Sequence, residues 1–361
     1  MVTSNGVIKL LQLGDIIMDV GYFDLQNLHE LVKAEVPSMS WDGVKNPAEW
    51  QTEARAKLCE LLGLGEIAKK SVELKMEIEF DRYSEDLGAR EIRFLFTTEE
   101  NVTVPCHLAI PQGADKPLPV LITLQGHSRG MHISLGRAKF PQDEASISGG
   151  DRDFVKRAVK EGYCAIALEQ RCFGERSSQP NCSIDCRLPA MRAILIGRTI
   201  IGERVWDVMR CIDVIEKYFS DVCDPEKVIC LGNSGGGTAT TYASAIDTRI
   251  KISVPSCAVC TYADSIAAIH HCECNYVPYI AKYFDMGDLC AMVAPRSMVV
   301  VNGDKDDIFP IDAAKECVAV GRRVYDAMGV SDELIHVVGA EGHRFYADDA
   351  WPHIHRAIKK L

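Results

Sequence analysis

The run Gly232-Asn233-Ser234-Gly235-Gly236 places a hydroxyl nucleophile between small residues. It falls where an apolar stretch of strand character, KVICLGN (227–233), gives way to GGGTATTYASAI, which has the pattern of a helix. A G-x-S-x-G turn in that setting is sharp, so its flanks must be small and the serine adopts a strained backbone with its hydroxyl lifted clear. A Gly-rich turn with an incidental serine spells the same letters; the strand–turn–helix context is what favours Ser234 as a nucleophile. A serine hydroxyl is a weak nucleophile at its ordinary pKa, so it needs a general base, and the base needs an orienting acid.

The elbow in this context resembles that of the α/β-hydrolase superfamily, whose triad runs in the order Ser, Asp or Glu, His. That order implies a base after the acid, near the C-terminus. Four histidines follow Asp306. His336 lies inside the strand-like ELIHVVG, and His353 and His355 lie in a closing helix, so these three are expected to be structural. His343, in AEGHRF, occupies a loop just beyond a strand, and Gly342 lets that loop approach the nucleophile. The acid is expected from VVVNGDKDDIFP, where Asp304, Asp306 and Asp307 compete. The superfamily's Gly-x-x-Asp followed by Pro matches Gly303, Asp306 and Pro310, so the resemblance implies Asp306 as the partner of His343. It also implies an oxyanion hole of two backbone N–H groups, those of Gly235 and of His127 in the loop Gln125-Gly126-His127-Ser128-Arg129-Gly130. For that loop an ordinary glycine turn is the bland alternative.

Taken together, QGH, EQRCFGER, GNSGGG, GDKDDIFP and EGH resemble the acetyl xylan esterase and cephalosporin-C deacetylase group and the related dienelactone-hydrolase-like families, over about residues 100–361. The resemblance implies a serine ester hydrolase without a cofactor, removing small acyl groups, acetyl above all, from a carbohydrate or similar alcohol. Two departures stand out. The group's oxyanion loop usually begins His-Gly, and here it is Gln125-Gly126; dienelactone hydrolases proper use Cys where this chain has Ser234. A serine peptidase or amidase would use the same triad. Outside enzymes, the rival is a non-catalytic binding protein with a structural Cys/His metal site, but such a relative is expected to lose a triad member, and none is missing.

Arg171, Glu175 and Arg176 follow the strand-like YCAIALE, on the sheet edge where open α/β sheets bind ligands. Arg171 is therefore a substrate-binding candidate, although an Arg–Glu pair that pins the loop explains the same residues. Segment 256–285, with His270, His271, Tyr276 and Tyr279, is expected to roof the pocket, and its rings suit a sugar or another polar ring.

Positioning these residues falls to the surrounding pattern. Strands and helices alternate from residue 119 onward, with apolar runs such as PVLITLQ and SMVVVNG that suit strands buried on both faces. The expected fold is α/β: an α/β-hydrolase domain over 71–361 with a mostly parallel sheet of about eight strands flanked by helices, an antiparallel hairpin at one edge, and a helical N-terminal extension over 1–70.

The 361 residues are 47% hydrophobic and 25% charged, an ordinary globular composition that excludes disordered and fibrous classes. Fifty-one Asp+Glu against 40 Lys+Arg give a net charge of -11, so neither nucleic acid nor an anionic membrane is an expected partner. The resemblance adds a small-molecule ester and a homo-oligomer as expected partners, the latter without a legible interface. Fifteen cysteines in a chain able to build its own core are expected to be reduced, packed thiols. Cys257, Cys260, His270, His271, Cys272 and Cys274 are of the right types to bind zinc, but their spacing matches no common zinc module, so no metal is expected. No apolar run approaches the roughly 20 residues that cross a bilayer, and the first residues lack a secretory pattern, so a cytoplasmic location is expected.

Overall fold

Continuous apolar runs flanked by amphipathic segments assemble into one nine-stranded sheet. The structure is a computed structural model that describes residues 10–13, 16–19, 25–179 and 184–361. A separate two-stranded antiparallel ribbon comes first, β1 (Leu10–Leu13) and β2 (Ile16–Asp19). The main sheet contains β3 (Met76–Ser84), β4 (Ala89–Glu99), β5 (Val102–Pro111), β6 (Leu118–Leu124), β7 (Cys164–Leu168), β8 (Cys223–Asn233), β9 (Ile250–Ser256), β10 (Ser297–Gly303) and β11 (Leu334–Gly339). Its order is β11-β10-β9-β8-β6-β7-β5-β4-β3, parallel from β11 to β7 and antiparallel from there to β3.

The described helices are α1 (Leu25–Ala34), α2 (Pro47–Leu62), α3 (Leu64–Ala68), α4 (Asp143–Ile147), α5 (Phe154–Lys160), α6 (Arg187–Leu195), α7 (Ile200–Tyr218), α8 (Gly235–Ile246), α9 (Ile280–Tyr283), α10 (Met286–Val293), α11 (Ile311–Ala327) and α12 (Ala347–Ile358). They cover both faces of the sheet. Alternation along the strands sends Val120, Ile122, Val228, Cys230, Met298 and Val300 into one core with α2, α7, α8 and α10. Leu121, Ile229, Leu231, Val299 and Val301 face the other core, with α5 and α12.

Helix α2 shows why the leading segment folds as it does. Pro47 opens the helix, the Asn46 side chain accepts hydrogen bonds from the N–H groups of Ala48 and Glu49, and Gly63 closes it in the left-handed conformation. Its Trp50, Ala54, Leu58 and Leu62 are buried in the same core as the sheet. Two details differ from the sequence reading. Nine strands form the main sheet rather than about eight, and within the segment read as helical, Leu10–Leu13 and Ile16–Asp19 pair as the β1–β2 ribbon while 35–46 are irregular. Residues 1–9, 14–15 and 20–24 of that segment lie outside the described part.

Candidate active site

Strand β8 ends in the elbow. Ser234 has φ 56° and ψ -125°, a conformation that L-residues adopt only under constraint, and α8 begins at the next residue. The constraint comes from both neighbouring strands. Ser234 N–H donates to Ser256 O (2.8 Å) at the end of β9, and Asn233 Nδ2 donates to Ser256 Oγ (3.1 Å). On the other side Gly236 packs so closely on the end of β6 that a Cβ there would lie 2.0 Å from the Leu124 carbonyl oxygen.

The loops after β10 and β11 meet in the same way. A Cβ on Gly303 would lie 2.1 Å from Gly342 O, so only glycine lets them touch, and Asp304 N–H then donates to Gly339 O (2.8 Å). At this junction the tighter restriction is at Gly303, since a Cβ on Gly342 would come no nearer than 3.3 Å to Lys305 O. Across this junction His343 Nδ1 meets Asp306 Oδ2 at 2.8 Å. Asp306 Oδ1 accepts the N–H groups of Ile308 (2.9 Å) and Phe309 (3.2 Å). Asp306 is buried, which by itself would raise its pKa, but the His343 hydrogen bond and charge and the Ile308 N–H hold the carboxyl below its ordinary value. Asp304 and Asp307 are exposed. With Nδ1 engaged, the other imidazole nitrogen is the one left to serve a nucleophile, and Phe309 stacks on the ring, centroids 5.9 Å apart at 17°.

The loop after β6 is held from below by a residue whose role the sequence did not reveal. Gln125 Nε2 donates to Glu169 Oε1 (2.6 Å), Met131 N–H donates to the same oxygen (3.0 Å), and Gln170 Nε2 donates to Gln125 O (2.5 Å). Glu169 thus ties the start of this loop, through Gln125, to its middle at Met131. Burial pushes the Glu169 carboxyl up to about 8, against the pull of the Met131 and Glu175 N–H groups. The His127 ring lies over Gly235, where a Cβ would come within 2.7 Å of it, so the two residues assigned to the oxyanion hole are adjacent. Gly235 is the first residue of α8, whose leading N–H groups have no partner inside the helix.

A cavity of about 430 Å³ opens on Ser234, Gly235 and His127, walled by Ile184, Ile269, His270, His271, Cys272, Glu273, Asn275, Ile308 and Phe309. His270 and His271 line this cavity. Arg171 and Tyr276 are not on this wall, which corrects their assignment to substrate. The Arg171 guanidinium turns inward to Glu99 (2.6 Å), Glu203 (2.9 Å) and Asp207 (2.9 Å), since a buried guanidinium must be matched by carboxylates. The Tyr276 hydroxyl donates to Ile266 O (3.0 Å). Phe309 and Ile184 escaped notice because single apolar residues in loops carry no periodic signal.

The six Cys and His residues grouped in the sequence do not converge. Cys257 lies beside Asp306 and His343, Cys260 Sγ faces Pro310 O, and His271 faces Ser265. Cys272 and Cys274 instead join Cys186 and His127.

A mostly parallel sheet with a serine on the strand–turn–helix elbow, and an Asp–His pair on loops after two later strands, defines the α/β-hydrolase fold. No family model matches the sequence. A curated relative, YtaP of Bacillus subtilis, assigned as a hydrolase, is 26% identical over 246 residues, 66% of this chain and 77% of that protein. Among solved structures, one assigned as an acetyl xylan esterase of Bacteroides fragilis superposes with a TM-score of 0.72 at 17% identity, covering 90% of this chain and 83% of that one. A glucuronoyl esterase from Solibacter usitatus gives 0.66 at 16%, covering 91% and 98%. The methylesterase BT1017 gives 0.67 at 16%, covering 93% and 68%.

Proposed function

We propose that this chain hydrolyses carboxylic esters through an acyl-enzyme, removing small acyl groups, acetyl first, from a carbohydrate or similar alcohol. Ser234 attacks the ester carbonyl, His343 takes its proton and delivers it to the leaving alkoxide, and water then cleaves the acyl-enzyme. Asp306 orients His343 and stabilises the imidazolium, and the N–H groups of Gly235 and His127 receive the oxyanion. The observation that carries this reading is the 2.8 Å Asp306–His343 bond on the sheet edge that also presents the strained Ser234.

Two features support the substrate class. The fold neighbours named above act, by their names, on acetyl xylan, glucuronoyl and methyl esters. The cavity mixes His270, His271, Glu273 and Asn275 with Ile184, Ile269, Ile308 and Phe309, which offers a sugar both hydrogen-bonding groups and apolar surface. The test is to assay wild type and Ser234→Ala on acetylated sugars, uronic acid methyl esters, short and long p-nitrophenyl esters, and peptide anilides. Wild type should prefer acetylated sugars and short acyl esters, and the variant should be inactive. Turnover of anilides in preference to esters, or equal activity of the two proteins, overturns the reading.

A further inference from the structure

Cys186, Cys272, Cys274 and His127 come from three parts of the chain and converge beside the cavity. One ligand atom from each lies within 4.8 Å of all the others. Cys274 Sγ is 3.4 Å from Cys272 Sγ and 3.2 Å from His127 Nε2. A tetrahedral zinc ion with Zn–S bonds near 2.3 Å holds its ligands about 3.7 Å apart, so the two short separations need only a few tenths of an ångström of adjustment and the remaining ones at most about one ångström.

Packed thiols would ask for nothing polar around them, yet a cation faces these. Arg204, only 1% exposed, directs Nη1 at Cys274 Sγ (3.2 Å) and Nη2 at Cys186 Sγ (3.5 Å). Its other contacts are the Arg171 carbonyl and the Phe173 ring, and among the described residues it forms no ion pair with a carboxylate. A guanidinium buried this deeply needs a counter-charge, and the sulfurs are what face it. Three thiolates exceed one guanidinium by two negative charges, which a divalent cation cancels.

We propose that His127, Cys186, Cys272 and Cys274 form a four-ligand zinc site. Three thiolates and an imidazole in tetrahedral array select zinc over the oxygen-seeking magnesium and calcium. Each cysteine releases its proton to solvent on binding, and the Arg204 N–H groups then hold two of the thiolates from outside the ligand set. The protein fills every ligand position, so the ion is structural and activates no water. Cys272 is half-buried and, like His127, lines the cavity, which gives the ion its way in. The ion clamps three segments: the loop after β6, the start of α6 at Cys186, and the cavity lip at 272–275. The existence of the site does not depend on ester hydrolysis; only the value of fixing His127 does.

The test is metal analysis of the full chain, purified reduced, without chelator or histidine tag. One zinc per chain is expected, and Cys272→Ser/Cys274→Ser should lose it. Because that variant can misfold, cobalt is added to the zinc-stripped wild type as a second probe. Thiolate-to-cobalt charge-transfer bands and the strong visible bands of a tetrahedral ion are expected. Substoichiometric zinc together with no such spectrum overturns the site, as does a Cys272–Cys274 disulfide in protein isolated anaerobically. Ester hydrolysis by Ser234→Ala is scored separately, so failure of the catalytic reading is distinguishable from failure of the metal site.

Discussion

Asp306 and its neighbours Asp304 and Asp307 share a side chain, and what separates them is where the loop puts it. Asp306 is buried, its one oxygen on His343 and its other on two backbone N–H groups, while the other two are exposed. Asp306→Asn should therefore fold normally and lose roughly 10³–10⁴ in kcat, because the amide favours the wrong imidazole tautomer. Asp304→Asn and Asp307→Asn should each cost less than about tenfold, since neither reaches the histidine. Steady-state kinetics on a p-nitrophenyl acetate series reads this out, and a crippled Asp307→Asn would place the acid one residue later. Ser234→Ala and His343→Ala should each lose at least about three orders of magnitude in kcat, with the double variant scarcely worse than either, because triad members act as a unit. Additive losses would mean that the two do not share a step.

Whether an element was legible in the sequence followed from whether its signal was local. Helix α8 begins at Gly235 and ends at Ile246, and strands β9 and β10 match the apolar runs IKISVPS and SMVVVNG, since such runs are decided by burial on both faces of the sheet. The elbow was legible for the same reason, whereas the expected order of acid and base rested on the resemblance. What stayed hidden was pairing at long range. Arg171 looked like a ligand-binding cation because its partners Glu99, Glu203 and Asp207 are distant in the chain. Glu169 gave no signal at all, although it carries the loop after β6 through Gln125 and Met131. This carboxyl also sets a pH dependence. Its pKa rises from 4.5 to about 8 in the folded state, so over that range the folded chain keeps a proton that the unfolded chain has lost. Its contribution is complete below the unfolded value and is lost as pH climbs towards 8. Glu169→Gln removes the titration while keeping an acceptor for Met131 N–H, and the Gln125 amide can turn over to meet it. Relative to wild type, the melting temperature of the variant should rise by several degrees between pH 5 and pH 8 in thermal scans. A constant difference across that range would show that Glu169 is ionised in the folded protein.

At the scale of the whole chain, the question is whether the leading helical segment and the sheet fold as one unit. Division of the chain at residue 70 follows a change of period in the sequence, from helical to alternating, but a change of period does not by itself make a separate core. Helix α2 places Leu58, fully buried, among residues of α7, α8 and α10, and Gln51 Nε2 donates to the carbonyls of Ala291 (2.9 Å) and Ala294 (2.8 Å) at the end of α10. Helix α8 is the helix that begins directly after Ser234. Removing the Leu58 side chain beyond Cβ should therefore cost about 2–5 kcal/mol of global stability, the range for a buried leucine that leaves a cavity. Leu58→Ala should unfold in urea at a lower midpoint, with helical circular dichroism and esterase activity lost in one coincident transition. An independent extension would behave otherwise: part of the helical signal would melt first, at a urea concentration that leaves hydrolysis untouched, and the midpoint for activity in Leu58→Ala would equal that of wild type. The shared core and the Gln51 bonds to α10 favour the single transition, in which α2 is a layer of the same folded unit as the sheet.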